Sequence, residues 1–595
     1  MSKGIFVKFD FLTKWIAVFK KSTLFKHALG WLIIFIATLM LSAIYCISAA
    51  MKQTAFGPNM ISIYPKELIL PLALSTMTAL VVSGVFYIVH RNQRIAALIS
   101  SLTLIAVISD YQSRFLASKP LITGIYNLLP FPTVGPWATN LIFLAILFTG
   151  CAILSTIISK KIIVKYFAKY THKIFQFIIF VVLIIFILNV LNLVGYLIDT
   201  NSQIAYRPAS LPSPISSASD KPDIYYIVLD RYTNNDNLKN YFSYDDQFIS
   251  RLRSSGYYVD ESGHSNYPYT AMSIGSTLSA NYLNNLESKY DKSKYQSEVA
   301  LFNLSRYSPV AKTFKELGYE YDVIGSWYNV SNKAPLANHQ YNENSVLKIS
   351  HTKSKILSSF ENIQLQNSIF FEFLKSANRY NYQDPVAQAQ YQLNVLNNMA
   401  DKGAGGKLIF AHILVPHDPY VFNSDGSISG VDQGNNNNGK LLKNKYVDQV
   451  KYIGSEVGKL SDKIINNTKG KAVIILQSDE GPWPQYVIDD ENGDVASNSI
   501  ANENMTNWSD DSLQTKYGVL AAYHIPDATT TELAKGANSV NIFRLILNKY
   551  FNYNLDYLPV CSFGLNEGRS RSFNYTNITS RLTGSEDPKC KTIHD

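Results

Sequence analysis

Charge is sparse in this chain and cysteine sparser: of 595 residues only 17% are Asp, Glu, Lys or Arg, and four are cysteine. None of the four stands in a metal-ligand spacing, which excludes a cysteine-built metal site. Cys46 and Cys151 fall inside apolar segments as small fillers. Cys561 and Cys590 lie near the C-terminus, where an oxidising compartment would pair them, and two separate thiols fit the sequence equally well. The chain has no internal repeat. No small-residue cleavage site clearly follows its first apolar stretch, which is also too long for a signal peptide.

Apolar length and positive charge are concentrated at one end. Five apolar segments precede Asp199, at 27–50, 67–90, 95–109, 138–159 and 174–198. Four reach the roughly 20 residues needed to cross a hydrocarbon core, and the third is short. Lysines and arginines gather before the first, between the second and third, and between the fourth and fifth, with few in the alternate loops. The positive-inside rule therefore predicts a bundle of about five transmembrane helices with a cytoplasmic N-terminus and everything after Ile198 outside. Residues 1–199 hold 17 basic and 4 acidic residues, and the rest holds 54 less 17, or 37, basic and 45 less 4, or 41, acidic. The formal charge of +9 thus belongs to the membrane part. It faces anionic lipid and is not a nucleic-acid footprint.

Residues 200–221, rich in Pro, Ser and Ala, read as an extended linker. From 222 to about 560 strand-like runs (224–229, 319–324, 408–414, 472–476, 517–523) alternate with helical ones (246–254, 308–317, 385–399, 445–466, 540–550). That alternation predicts an α/β domain with a largely parallel sheet between helices. The asparagine-rich stretch 426–440 reads as a mobile insertion, and 561–595 as a polar, loosely ordered tail.

Four segments carry chemistry. KPDIYYIVLD at 221–230 is an apolar run that ends abruptly in Asp230. NYPYTAM at 266–272 places Thr270 before a helical stretch. HILVPHDPY at 412–420 contains His412 and His417, and ILQSDEGPWP at 475–484 ends a strand in Asp479 and Glu480. In open α/β sheets ligands collect beyond the carboxyl ends of strands, so three strands delivering Asp, Glu or His there point to one metal-dependent active site. Each residue also has a plainer reading: a turn for Asp230 and the SDEG run, an N-cap for Thr270, a loop residue for His417. His412, inside its apolar run, reads as a satisfied core histidine before it reads as a ligand. Arg231 reads as a surface ion pair before a phosphate contact, and Trp483 as either core or the wall of a glycolipid site. The order of the motifs and their strand contexts favour the joint reading.

In these motifs the chain resembles the alkaline phosphatase/sulfatase superfamily, and within it the membrane-anchored lipoteichoic acid synthase and phosphoethanolamine transferase branch. The resemblance covers most of 222–558. It implies Asp230, Thr270 and Asp479 as metal ligands, Thr270 as nucleophile and His417 in contact with the transferred group. The family's Asp-His pair reads Asp479-Glu480 here, so Glu480 takes the fourth ligand position. An all-oxygen shell favours Mn²⁺, or Mg²⁺ or Ca²⁺, over Zn²⁺. The implied activity moves a phosphoglycerol or phosphoethanolamine headgroup from a phospholipid donor to an envelope glycan or lipid acceptor. Nothing of the form C/S-x-P-x-R surrounds Thr270, which weakens a sulfatase-like hydrolase. A non-catalytic lipid-binding sensor draws support only from Glu480.

Overall fold

In the computed structural model, the described residues are chiefly 205–214, 221–283, 299–342, 385–401, 405–429, 439–484, 504–566, 574–585 and 587–594. Shorter pieces lie between 346 and 381, and scattered positions before 205. Two compact units emerge, 1–197 with 347–381, and 198–346 with 382–595. Residues 347–381 group with the first unit. There, buried Leu357 and Leu365 pack with Leu70, Leu74 and Leu374. The first, third and fourth expected spans lie almost entirely outside the described residues, as does 430–438 of the expected insertion; the second and fifth are described in part, as helix at positions between 68 and 77 and between 180 and 198. No helix among the described residues is long and apolar enough to cross a membrane.

The second unit is built on a seven-stranded sheet: β1 (Ile224–Leu229), β2 (Tyr258–Val259), β3 (Glu320–Ile324), β4 (His339–Tyr341), β5 (Lys407–Ile413), β6 (Val473–Gln477) and β7 (Ala521–His524). Their order is β2-β7-β6-β1-β5-β3-β4. β6, β1, β5, β3 and β4 are mutually parallel, and β7 runs antiparallel to β6 and β2. Every β1 side chain is buried, and they alternate between two cores. Ile224, Tyr226 and Val228 face one, and Tyr225, Ile227 and Leu229 the other. A strand apolar on both faces needs cover on both faces, which is why β1 reads as one unbroken apolar run.

The first core is closed by α1 (Thr270–Ser279), α2 (Val299–Arg306), α3 (Pro309–Glu316) and α4 (Ile542–Phe551). The second is closed by α5 (Gln247–Ser254), α6 (Pro385–Ala400) and α7 (Gly439–Asn467). The expected elements fall within a few residues of these, because Asp246 and Ser308 cap α5 and α3 with their side chains as their positions suggest. One boundary was misplaced: the strand expected from 517 begins at Ala521, because Tyr517 ends a helix, α8 (Asp510–Tyr517), started by Ser509 as N-cap.

Two tethers differ from expectation. Residues 206–214 carry no helix or strand but are pinned to the domain. Asn303 donates to the Tyr206 carbonyl at 3.2 Å, Lys312 to Ser210 at 2.7 Å, and Arg207 stacks on Tyr307. The described residues of the C-terminal segment form no loose tail either. Cys561 and Cys590 form a disulfide, and Phe563, Leu565, Tyr575, Ile578 and Leu582 enter the first core. Polar composition hid it, since a few apolar residues at alternate positions suffice to anchor a short strand.

Candidate active site

Strand register assembles the site. Val228 of β1 lies opposite His412 of β5 on one side and Gln477 of β6 on the other. With a side-chain period of two, Asp230 and Asp479 each stand two residues beyond that row, on its face. Asp230 extends the ladder by donating its N–H to the Ile413 carbonyl at 2.9 Å. Three strands therefore bring Asp230, His412 and Asp479 to one sheet edge. Their ligand atoms lie within 4.8 Å of one another, all buried.

His412 is buried, as expected of a core histidine, and is nonetheless part of this group. Its Nε2 lies 3.3 Å from Asp230 Oδ2, and Nδ1 is 3.1 Å from the Ser331 hydroxyl. Period two signals this arrangement in principle, but the apolar neighbours of His412 mask it. Three oxygens at the site, Asp230 Oδ1, Asp479 Oδ2 and Glu480 Oε2, are buried without a hydrogen-bond partner among the described residues. Buried carboxylate oxygens left unpaired are costly, and a divalent cation is the chemistry that satisfies them.

The two aspartates are pushed apart in protonation. Burial raises the Asp230 carboxyl, but charge interactions with His417, His412 and Arg231 outweigh it and bring it down to about 2. Asp479 is held well above the usual carboxylate range by burial and by the charges of Asp230 and Glu480. Two like charges this close cannot both ionise cheaply without a cation between them.

Thr270 opens α1 from the first-core face. It is the first helical residue and not the cap; Tyr269 is the cap, and no side chain caps the helix. Its hydroxyl faces the Asp479 carboxylate and partly offsets the upward push on that group's pKa. The segment leading to it is braced by the C-terminal strands: Asn266 donates to the Cys561 carbonyl at 2.7 Å, and Phe563 N–H to the Asn266 carbonyl at 2.9 Å.

Glu480 departs from the expected ligand set. It is not one of the three clustered groups, because its Oε1 is taken by two cations, Lys516 Nζ at 2.9 Å and Arg231 Nε at 3.0 Å. Lys516, from α8, is fully buried and lies 4.0 Å over the Trp483 ring. Nothing in the sequence flags it, since 36 positions separate it from Glu480. Gly481 makes the approach feasible: its N–H donates to the Lys516 carbonyl at 2.8 Å, and a Cβ there would stand 2.0 Å from the Thr515 carbonyl oxygen. Trp483 also packs on Tyr269 and Trp508, with ring centroids at 5.8 and 6.1 Å.

His417 and Asp418 form the rim. His417 is about a quarter exposed, with Nδ1 3.4 Å from the Asp418 carboxylate. Gln449 holds the loop by donating to the Pro416 and His417 carbonyls at 3.1 and 3.0 Å. Arg231 spans from the floor to this rim, pairing with Glu480 and Asp418.

No protein-family model and no curated protein matches the chain. Solved structures do. The chain is similar to the C-terminal periplasmic domain of EcEptC from Escherichia coli in complex with Zn, at 12% identity over 64% of this chain and 99% of that one, TM-score 0.39. It is similar to the integral membrane lipooligosaccharide phosphoethanolamine transferase A from Neisseria meningitidis, at 11% identity over 88% and 92%, TM-score 0.34. A third is the lipoteichoic acid synthase LtaP from Listeria monocytogenes, at 10% identity over 63% and 81%, TM-score 0.33. At such values no residue's role transfers, and the roles of this site rest on its own geometry.

Proposed function

We propose that the protein is a membrane-anchored, metal-dependent transferase that moves a phosphorylated headgroup, of the phosphoglycerol or phosphoethanolamine kind, from a phospholipid to an envelope glycan or lipid. The observation that carries this reading is the buried Asp230–His412–Asp479 cluster with the Thr270 hydroxyl facing Asp479. A hydroxyl buried among carboxylates with unpaired oxygens fits a nucleophile better than a structural threonine. Anchoring by the five apolar segments, with the domain outside the cytoplasm, would hold the site where a lipid donor is concentrated.

Asp230, His412 and Asp479 would hold one divalent metal, with Thr270 beside it. When bound, the metal would neutralise phosphoryl oxygens and lower the pKa of the hydroxyl. His412 in place of Glu480 makes the shell mixed, so Zn²⁺ fits it as well as Mn²⁺ does.

The chain's own residues supply the rest. Thr270 Oγ forms a bond to phosphorus as the diacylglycerol oxygen leaves, and Asp479 is within hydrogen-bond reach of the proton Thr270 loses. His417, at the rim, gives a proton to the leaving oxygen. In the second half the acceptor hydroxyl attacks phosphorus as the bond to Thr270 Oγ breaks, His417 takes the acceptor's proton, and Asp479 returns to Thr270 the proton it lost. The N-terminus of α1 directs backbone N–H groups at the phosphoryl group. Mass spectrometry of the full-length protein after exposure to total lipid tests the scheme. A headgroup-phosphate adduct on Thr270 supports it, whereas no adduct on intact, metal-loaded protein would favour the non-catalytic reading.

A further inference from the structure

We infer that Arg231 is the phosphoryl-binding cation of this site and that Glu480 is its positioning residue, not a metal ligand. The inference rests on the transferase reading and deepens it by adding a fixed guanidinium to the metal centre.

Four observations converge on Arg231. Its backbone is left-handed, with φ +64°, a conformation an L-residue with a long side chain adopts only when its surroundings impose it. Those surroundings are the site itself: the Arg231 N–H donates to Asp479 Oδ1 at 3.2 Å, and its carbonyl accepts from the Tyr446 hydroxyl at 2.7 Å. The turn carries the side chain towards Glu480 and Asp418. There Nε donates to Glu480 and Nη1 to Asp418, one partner on the buried floor and one at the exposed rim.

What remains of the fork is the useful part. A guanidinium has five N–H donors, and among the described residues Nη2 makes no hydrogen bond. The side chain is 13% exposed, so it reaches the mouth of the site. A planar donor held at Nε and Nη1 has its third nitrogen oriented in advance, which is the geometry that recognises a phosphoryl oxygen.

Glu480 is spent in this arrangement. Its Oε1 receives both Arg231 and the buried Lys516. A carboxylate whose charge is matched by two cations is a poor competitor for a metal, and a well-placed anchor for a guanidinium. The Asp-Glu pair, odd as a metal-binding motif, becomes intelligible as one ligand followed by one arginine anchor.

The test uses the full-length protein, with calorimetry of Mn²⁺ alone and then of inorganic phosphate to the Mn²⁺-loaded form. Arg231→Asn removes the cation while keeping a residue that tolerates the left-handed backbone, and Arg231→Lys keeps charge without the fork. Arg231→Asn should weaken phosphate binding about tenfold or more, as loss of a charge-assisted contact implies, with Mn²⁺ affinity within about twofold. Arg231→Lys should fall between it and the wild type. Glu480→Gln should leave Mn²⁺ affinity alike and weaken phosphate in the wild-type background but not in Arg231→Asn, the non-additivity expected of a residue acting through another. Unchanged phosphate affinity in Arg231→Asn, or loss of Mn²⁺ in Glu480→Gln, overturns the inference. Wild-type protein that binds Mn²⁺ but no phosphate also overturns it while leaving the metal centre standing. Wild-type protein that binds neither removes the transferase reading as well.

Discussion

Lys516 Nζ lies 2.9 Å from Glu480 Oε1, and both side chains are sealed from solvent. Burial is the larger influence on the ammonium, and despite the attraction of Glu480 it brings the Lys516 pKa down to about 8. A base whose folded pKa lies below its unfolded value of 10.5 holds its proton in the unfolded chain after losing it in the native one. Stability from Lys516 is therefore fully present above the unfolded pKa and is lost as pH falls towards 8.

The denaturation midpoint of the wild type should accordingly gain on that of Lys516→Met between pH 8 and about 9.5. Comparing the two proteins at each pH cancels the many tyrosines, which titrate alike in both. Parallel midpoints across this window would mean that Lys516 stays charged throughout.

A second prediction concerns the aspartate pair. Asp479 is raised, so the stability attached to it is present below the ordinary carboxylate range and lost as pH rises through its folded pKa. Metal-free protein should therefore weaken towards neutral pH, and a divalent cation should reverse this. Asp479→Asn should be more stable than the wild type without metal by about 1 kcal/mol, or roughly 2–4 °C, and should lose the metal-induced shift. Thermal melts with and without Mn²⁺ or Zn²⁺ read both effects. A metal-free Asp479→Asn variant less stable than the wild type would show that the two carboxylates do not repel as placed.

The third prediction joins the disulfide to the nucleophile. Cys561–Cys590 closes a span of 29 residues whose strands hold Asn266, four positions before Thr270. Replacing both cysteines with serine should cost about 3 kcal/mol by loop entropy. It should also lower turnover more than metal affinity, because Asp230, His412 and Asp479 sit on the sheet and not on this brace. Thermal melts and metal titration of the double variant distinguish the two. Equal losses in turnover and metal affinity would mean that the whole domain had loosened.

Much of the α/β framework was legible because its cause is local. β1 and β6 are apolar runs that stop at carboxylates, and α5 and α3 begin at side-chain caps. Asp230, Thr270 and Asp479 were legible for the same reason, since each marks the end of one element or the start of another. The groups that were missed or misplaced act across the fold. His412 joins the cluster only through the register of β5 against β1. Glu480 is drawn away by Lys516, which a glycine contact brings near, and the C-terminal strands are held by pairing with a loop some 300 residues upstream. The Glu480–Lys516 contact leaves no periodic trace in the sequence, and the traces of His412 and of the C-terminal strands are masked by their neighbours.

The last prediction separates nucleophile from helix element. Thr270 is the first residue of α1, and its hydroxyl faces Asp479 and does not cap the helix, so its removal exposes no uncapped end. Thr270→Ala should therefore fold with a loss of at most about 1 kcal/mol, the price of one hydrogen bond. Metal should still bind, because Asp230, His412 and Asp479 remain. Headgroup transfer should fall by several orders of magnitude, since the other hydroxyl beside Asp479, that of Ser478, is buried and committed to the Glu480 carbonyl at 2.9 Å. Thr270→Ser restores the hydroxyl and should recover part of the rate together with the covalent adduct. Transfer assays and adduct mass on the same metal-loaded preparations decide it. A folded Thr270→Ala protein that transfers at the wild-type rate would end the covalent scheme, whatever its metal content.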